Sequence, residues 1–495
     1  MIKVPKVMST QHPDNVNIPF FAETSDMSGE DEVQEAYYAF SHLGCDEQMW
    51  DSEGKEVDDF VVRKLLSRYP HFFKQRRLGK DVFLTLRVPN PSIEKAEAKI
   101  LVEALESIPR SADAAKLFYD DTFYPPIFEV ILPMTTSAEE LNRVYYFYKN
   151  FISGKQHQPI YFGDISVAEW VGGFFPETIN VIPLIEDINT MLNADKIVIS
   201  YLKDKPIKYL RVFLARSDPA LNYSMISAIL ANKLALKKLE RVSEKLEVEI
   251  FPIIGAGSPP FRGNLTPYTV DRVLEEYSYV ETFTVQSAFK YDNPIEDVIE
   301  ATKKIKNFVR YPIKDFDENL ALILIEKACE EYQRIIEDLA PAINELAAFI
   351  PKRRTRKLHI GLFSYARKLG KVKLPRAINF CGACYSIGLP PEIIGLSAFT
   401  KEELQDLKEL YQNLEFDISC AMRYFNSKCL ELLSKELKEA LIKALSLINS
   451  LNLEVNPHLE HKEITDRIIR RLKTGATANL TDLIVEAAHL RRFLG

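Results

Sequence analysis

Ile250–Leu265 reads IFPIIGAGSPPFRGNL, and the order of residue types in it sets how the rest of the chain is read. The apolar, β-prone run Ile250–Ile254 stops at Gly255-Ala256-Gly257; Ser258, Pro259 and Pro260 then block both helix and sheet, and Arg262 follows between Phe261 and Gly263. The pattern predicts a buried strand that ends abruptly and delivers a stiff loop with one fixed positive charge. A planar guanidinium at such a tip suits a carboxylate or a phosphate, because its fork binds two oxygens at once. The same letters also suit an ordinary strand-to-helix turn whose arginine sits in a surface ion pair.

Outward from this stretch the pattern repeats. Short β-prone runs at Val82–Arg87, Ile127–Leu132, Ile179–Ile185, Tyr209–Leu214 and Glu281–Val285 alternate with amphipathic stretches such as Ser92–Leu105, Ser137–Asn150 and Tyr223–Lys245. Most runs lie 30 to 50 residues apart, long enough for right-handed crossovers. Strand followed by helix, many times in one chain, predicts a parallel α/β fold closed as a TIM-like (β/α)₈ barrel.

Polar residues gather where the runs end: Arg87, Pro133-Met-Thr-Thr, Glu186-Asp187, Arg216-Ser-Asp218, Ser258 with Arg262, and Gln286-Ser-Ala-Phe-Lys290. In a (β/α)₈ barrel these ends share one face, where active sites sit. Glu186 and Asp218 on separate strands can converge on a hard divalent cation that takes its other oxygens from water and substrate. They can equally cap the helices that follow. Nearby arginines point to an anionic substrate. His12, in Met8-Ser-Thr-Gln-His-Pro-Asp-Asn15, is held extended by Pro13 and reads either as a loop residue or as a catalytic imidazole.

Beyond residue 310 the character changes, and 316–350 and 400–495 read almost wholly as helix. The expected organisation is a strand-bearing portion over 1–315 and a mainly helical portion over 316–495, packed on the barrel as one integrated domain and completing its site. Extensive additional helices, especially in the C-terminal third, are part of that expectation. Lys352-Arg-Arg-Thr-Arg-Lys357 is a solvated basic face, a nucleic-acid patch or the feed of an anion pocket. Cys381-Gly-Ala-Cys384 has no second pair at zinc spacing and reads as two small core residues.

Composition bounds the rest. The 495 residues are 46% hydrophobic and 27% charged, which suits a globular chain with ample core. A formal charge of −7 argues against general nucleic-acid binding. No run is apolar enough to cross a bilayer, the N-terminus has no signal-peptide core, and six cysteines are too sparse for a disulfide scaffold. A reduced, cytoplasmic chain is the expectation.

The segments STQHPDN, LRVPNP, VIPLIED, GAGSPPFRGNL, TVQSAFKYD, PKRRTRKLHIG and FCGACYSIGLPPEIIG, in that order, resemble the archaeal-type, short form of phosphoenolpyruvate carboxylase. The resemblance implies β-carboxylation of phosphoenolpyruvate with bicarbonate to oxaloacetate and phosphate, by way of carboxyphosphate and an enolate, replenishing the tricarboxylic acid cycle. It implies Mg²⁺ or Mn²⁺ on Glu186 and Asp218 to stabilise the enolate oxygen. Phosphoryl contacts fall on Arg87, Arg262 and one of Arg353 or Arg354, and carboxyphosphate breakdown on His12. Gln286 and Lys290 would line the same face, and the loop Gly255–Gly263 would close over it. A homotetramer under allosteric control is implied as well. The chain departs from the long-form enzymes at Ala256, where they carry an arginine, and at Leu221, where they carry a lysine; Arg216 or Lys290 would then help hold the phosphate. Two other readings remain beside this one: another metal-dependent barrel lyase or phosphotransferase of the phosphoenolpyruvate/pyruvate type, and a nucleic-acid binder using Lys352–Lys357.

Overall fold

In the computed structural model, which describes residues 3–53, 58–96, 98–120, 124–355, 363–369 and 372–495, eight short parallel strands close into a barrel in sequence order. They are β1 (Val7–Ser9), β2 (Glu47–Asp51), β3 (Phe83–Arg87), β4 (Glu129–Leu132), β5 (Asn180–Ile185), β6 (Tyr209–Ala215), β7 (Glu249–Gly255) and β8 (Thr282–Val285). β1 closes the ring against β8, with Ser9 opposite Val285. The register sets Asp51 beside Arg87 and Ala215 beside Gly255, so the polar strand ends share one level.

The six runs expected from the sequence are β3 to β8. β1 and β2 escape hydrophobic patterning for a physical reason. β1 is only three residues long, and β2 reads EQMWD, with acids at both ends. Those acids face the barrel interior. Glu47 meets the guanidinium of Arg211 on β6 through two hydrogen bonds of 2.7 and 2.6 Å, and Glu129 on β4 accepts a third at 3.0 Å. The three side chains are sealed from water. The barrel floor is thus an ionic layer rather than the usual branched aliphatic one. Side chains alternate along a strand, so the same faces that present Glu47 and Arg211 below present Asp51 and Ala215 above.

Helices follow the strands, with ends set by local chemistry. The stretch expected from Ser137 begins at Ala138, where Ser137 and Glu140 form a capping box. The one expected from Tyr223 spans Met225–Leu246, with the Ser224 side chain accepting from the Ser227 N–H. The one expected at Ser92 starts at Ile100 and runs to Tyr119. Asn90 delays it: its side chain and carbonyl accept the N–H groups of Ser92 (3.0 Å) and Glu94 (2.7 Å) in a turn.

In the C-terminal third, Glu318–Ala347 forms a 30-residue helix capped by Asp317. An antiparallel hairpin of Phe363–Leu369 and Val372–Pro375 follows, which helical patterning did not foresee. The helices Ala377–Ser386, Leu459–Thr474 and Leu480–Arg491 then pack so that barrel and helices share one continuous apolar core. Cys381 and Cys384 are fully buried in that core with free thiols, as two small core residues should be. No helix among the described residues is long and apolar enough to cross a membrane.

Candidate active site

The carboxyl ends of the strands open into a cleft of about 120 Å³. Each strand end delivers something to its wall: Gln11 and His12 after β1, Asp51 and Glu53 at β2, Arg87 at β3, Glu186 after β5, Arg216 to Asp218 after β6, Arg262 after β7 and Gln286 after β8. Arg376, Ala377 and Ile378, at the start of the helix Ala377–Ser386, close the remaining side. Of the residues expected from the sequence, His12, Arg87, Glu186, Arg216, Asp218, Arg262 and Gln286 therefore meet in one place.

The loop Gly255–Leu265 is packed as a cradle. Every residue from Ala256 to Asn264 is buried. The loop is tied internally by Gly257 N–H to the Arg262 carbonyl (2.8 Å) and Leu265 N–H to the Gly257 carbonyl (2.9 Å). A Cβ at Gly257 would stand 2.9 Å from Arg262 Cζ, so glycine is what lets the guanidinium lie against the backbone. Gly263 has φ of +125°, and a Cβ there would meet that of Ala256 at 2.8 Å. Ala256 therefore packs inside the loop's own turn. Leu221 is likewise sealed in the core.

Arg262 is held on all sides. Nε donates to Ser217 Oγ (3.0 Å), Nη1 to Asp14 Oδ2 (3.2 Å) and to the Gly495 oxygen (2.6 Å), and Nη2 to Gln286 Oε1. Arg87 is fixed by a two-point contact with Asp51, at 2.8 and 2.7 Å, with Glu53 3.2 Å away. Arg216 differs from both. It is almost wholly buried, with the Tyr277 hydroxyl beside its guanidinium and the buried Asp417 carboxyl near enough to feel its charge.

Glu186 accepts the Met134 N–H at 2.7 Å. Its carboxyl is pushed up to about 8, by burial first and then by the facing charges of Asp218 and Glu53, with Arg87 opposing. Among the described residues no group of three acid, histidine or cysteine side chains converges as a closed metal cage. Two facing carboxylates are nonetheless a fitting donor set for a hard divalent ion, which needs one or two protein carboxylates and otherwise keeps water and substrate oxygens.

Four residues expected in the site lie behind it. Lys290 spends its three donors on Ser9 Oγ (2.9 Å), the Thr10 carbonyl (3.0 Å) and Glu35 (2.8 Å). Arg354 binds Glu35 (2.7 Å), Glu32 (3.3 Å) and Ser287 (3.3 Å). Arg353 donates to the carbonyls of Asn15 (3.2 Å) and Val16 (3.0 Å). Lys290 and Arg353 hold the segment that carries His12, whose Nδ1 is hydrogen-bonded to Thr10 Oγ1 at 2.8 Å. Ser258 is buried, and among the described residues its side chain has no hydrogen-bond partner. The remainder of the basic run, from residue 356 to Gly361, lies outside the described residues. Sequence reasoning had passed over Gln11, Asp14, Asp51, Glu53, Ser217 and Arg376. The first two stand in the His-Pro segment already singled out, and Ser217 stands between two residues that were read as functional.

A family model described as phosphoenolpyruvate carboxylase matches residues 4–495. The chain belongs to the archaeal-type phosphoenolpyruvate carboxylase family. It is an enzyme, a carbon–carbon lyase. The phosphoenolpyruvate carboxylase of Methanospirillum hungatei is 51% identical over 494 residues, covering 100% of both chains. Those of Methanothermobacter thermautotrophicus (51% over 496 residues) and Halobacterium salinarum (47% over 499 residues) also cover both chains fully. Among solved structures, the Haloferax volcanii malate synthase magnesium/glyoxylate complex is similar at 11% identity and a TM-score of 0.38, over 70% of this chain and 94% of that one. In this carboxylase the barrel supplies most of the cleft, and the C-terminal third adds Arg376.

Proposed function

We propose that this cleft carboxylates phosphoenolpyruvate through the residues gathered at the strand ends. Bicarbonate attacks the phosphorus, breaking its bond to the enol oxygen and leaving carboxyphosphate and the enolate of pyruvate. Carboxyphosphate divides into CO₂ and phosphate, and the enolate C3 attacks CO₂ to give oxaloacetate. Arg262 and Arg216 face the transferring phosphoryl group, and Arg87 holds its position beside it under the control of Asp51. Arg376 adds a cation where Leu221 cannot. His12, steadied through Thr10, takes and returns the proton of the carboxyl group as carboxyphosphate breaks. Glu186 and Asp218 would hold Mg²⁺ or Mn²⁺, which supplies positive charge to the developing enolate oxygen. A cytoplasmic homotetramer under allosteric control is the setting we propose with it.

The observation that carries the reading is the convergence of two facing carboxylates and four arginines in one cleft of a chain whose family match spans nearly its full length. The test is a paired assay with phosphoenolpyruvate, bicarbonate and Mg²⁺, following oxaloacetate by coupled reduction and phosphate by colour. The expected result is equimolar oxaloacetate and phosphate, dependent on bicarbonate and independent of nucleotide. Phosphate release without oxaloacetate, or a need for nucleotide, would instead favour a phosphotransferase or another lyase of the same fold.

A further inference from the structure

Asp14 stands two residues beyond His12, behind the wall of the cleft, with a side chain that no water reaches. It belongs to three parts of the molecule at once. Its Oδ2 accepts from Arg262 Nη1 at 3.2 Å, its Oδ1 accepts the Ala288 N–H at 2.7 Å just past β8, and its carbonyl accepts the Leu494 N–H at 2.7 Å. The His12 carbonyl meets the Ser287 N–H at 3.3 Å beside it. Among the side chains that hold Arg262, Asp14 is the one carboxylate; Ser217 and Gln286 are neutral.

We infer that Asp14 is a positioning residue for the carboxylation, aiming the Arg262 guanidinium and locking it in register with the His12 segment. This rests on the reading of Arg262 as a phosphoryl-facing group. A guanidinium on a flexible arm needs a charged acceptor to fix one of its orientations. Only an acceptor rooted in the His12 segment makes the separation of these two groups independent of the β7 loop. Both Asp14 oxygens are engaged, so neither can be given up. The amide in Asp14→Asn has one acceptor oxygen. It can serve Ala288 or Arg262 but not both, and its NH₂ faces a donor on the other side.

The test is a double-mutant cycle of Asp14→Asn and Arg262→Gln, read as kcat and KM for phosphoenolpyruvate. Asp14→Asn alone should lower kcat/KM by about 10- to 100-fold, the scale of a group misplaced by an ångström. The dissociation constant for Mn²⁺ should stay unchanged, because the hydrogen bonds of the Asp14 carboxylate go to Arg262 and Ala288. In the Arg262→Gln background the same substitution should change kcat/KM by no more than about twofold, since the residue it aims is gone. Full independent losses in the two backgrounds, or wild-type kcat/KM in Asp14→Asn, would overturn the inference alone. Wild-type activity in Arg262→Gln would overturn the phosphoryl role of Arg262 and the inference with it. If Asp14→Asn does not fold, Asp14→Glu, which keeps the charge on a longer arm, carries the same cycle with the same criteria.

Discussion

Arg87 and Asp51 sit opposite each other in the β2–β3 register and join through two hydrogen bonds of 2.8 and 2.7 Å. The pairing matters more than either residue, because a guanidinium held at two points keeps one orientation while a substrate arrives. Asp51→Asn should retain one acceptor and lower kcat/KM for phosphoenolpyruvate by about 10-fold or more, with no loss of the fold. Steady-state kinetics beside a thermal melt checks both halves. At this scale the sequence was legible where chemistry is carried by unusual letters. Arg87, Glu186, Arg216, Asp218 and Arg262 close apolar runs and announce themselves. Asp51 and Glu53 do not, since β2 has an acid at each end and no apolar run precedes them. Lys290 and Arg354 lie behind the cleft, because a cation reads the same in the sequence whether it faces substrate or a buried acid, and Arg353 spends its donors on the Asn15 and Val16 carbonyls. Here the acids Glu32 and Glu35 come from the distant helix Glu30–Ser41.

The loop Gly255–Leu265 shows what an element borrows from others. Glu392 accepts the Phe261 N–H at 2.7 Å and the Tyr385 hydroxyl at 2.6 Å. Asp417 accepts from the Asn264 side chain at 2.6 Å and from Tyr411. Both carboxyls belong to the C-terminal third, and burial pushes each up to about 7. For Glu392 the folded protein holds its proton more tightly than the unfolded chain, whose carboxyl has an ordinary value of 4.5. Its stabilising contribution is therefore complete below that value and is lost as pH rises through about 7. Glu392→Gln keeps an acceptor for Phe261 and removes the titration. The melting temperature of the variant minus that of the wild type should rise between about pH 5 and 8, by roughly 2–5 °C; a difference independent of pH would show that Glu392 is not the titrating pin. The strand, the turn and the arginine of this loop were written in its own residues. Its stiffness was foreseen from the prolines, but the identity of its clamps was not, since they stand more than a hundred positions away.

For the molecule as a whole, six of eight strands and the barrel they form were legible, because parallel strands buried on both faces read as apolar runs. The ionic floor around Arg211 hid β2, and brevity hid β1. The C-terminal third contributes Arg376 to the cleft wall and the clamps on the Arg262 loop. The central claim is that β5 and β6 bring Glu186 and Asp218 to one divalent ion beside the substrate. Mn²⁺ titration followed by electron paramagnetic resonance, in the wild type, Glu186→Gln and Asp218→Asn, with and without phosphoenolpyruvate, tests it most directly. The account predicts one site per chain that phosphoenolpyruvate tightens and that either substitution weakens by at least about 10-fold. Unchanged Mn²⁺ stoichiometry and affinity in both variants would contradict it.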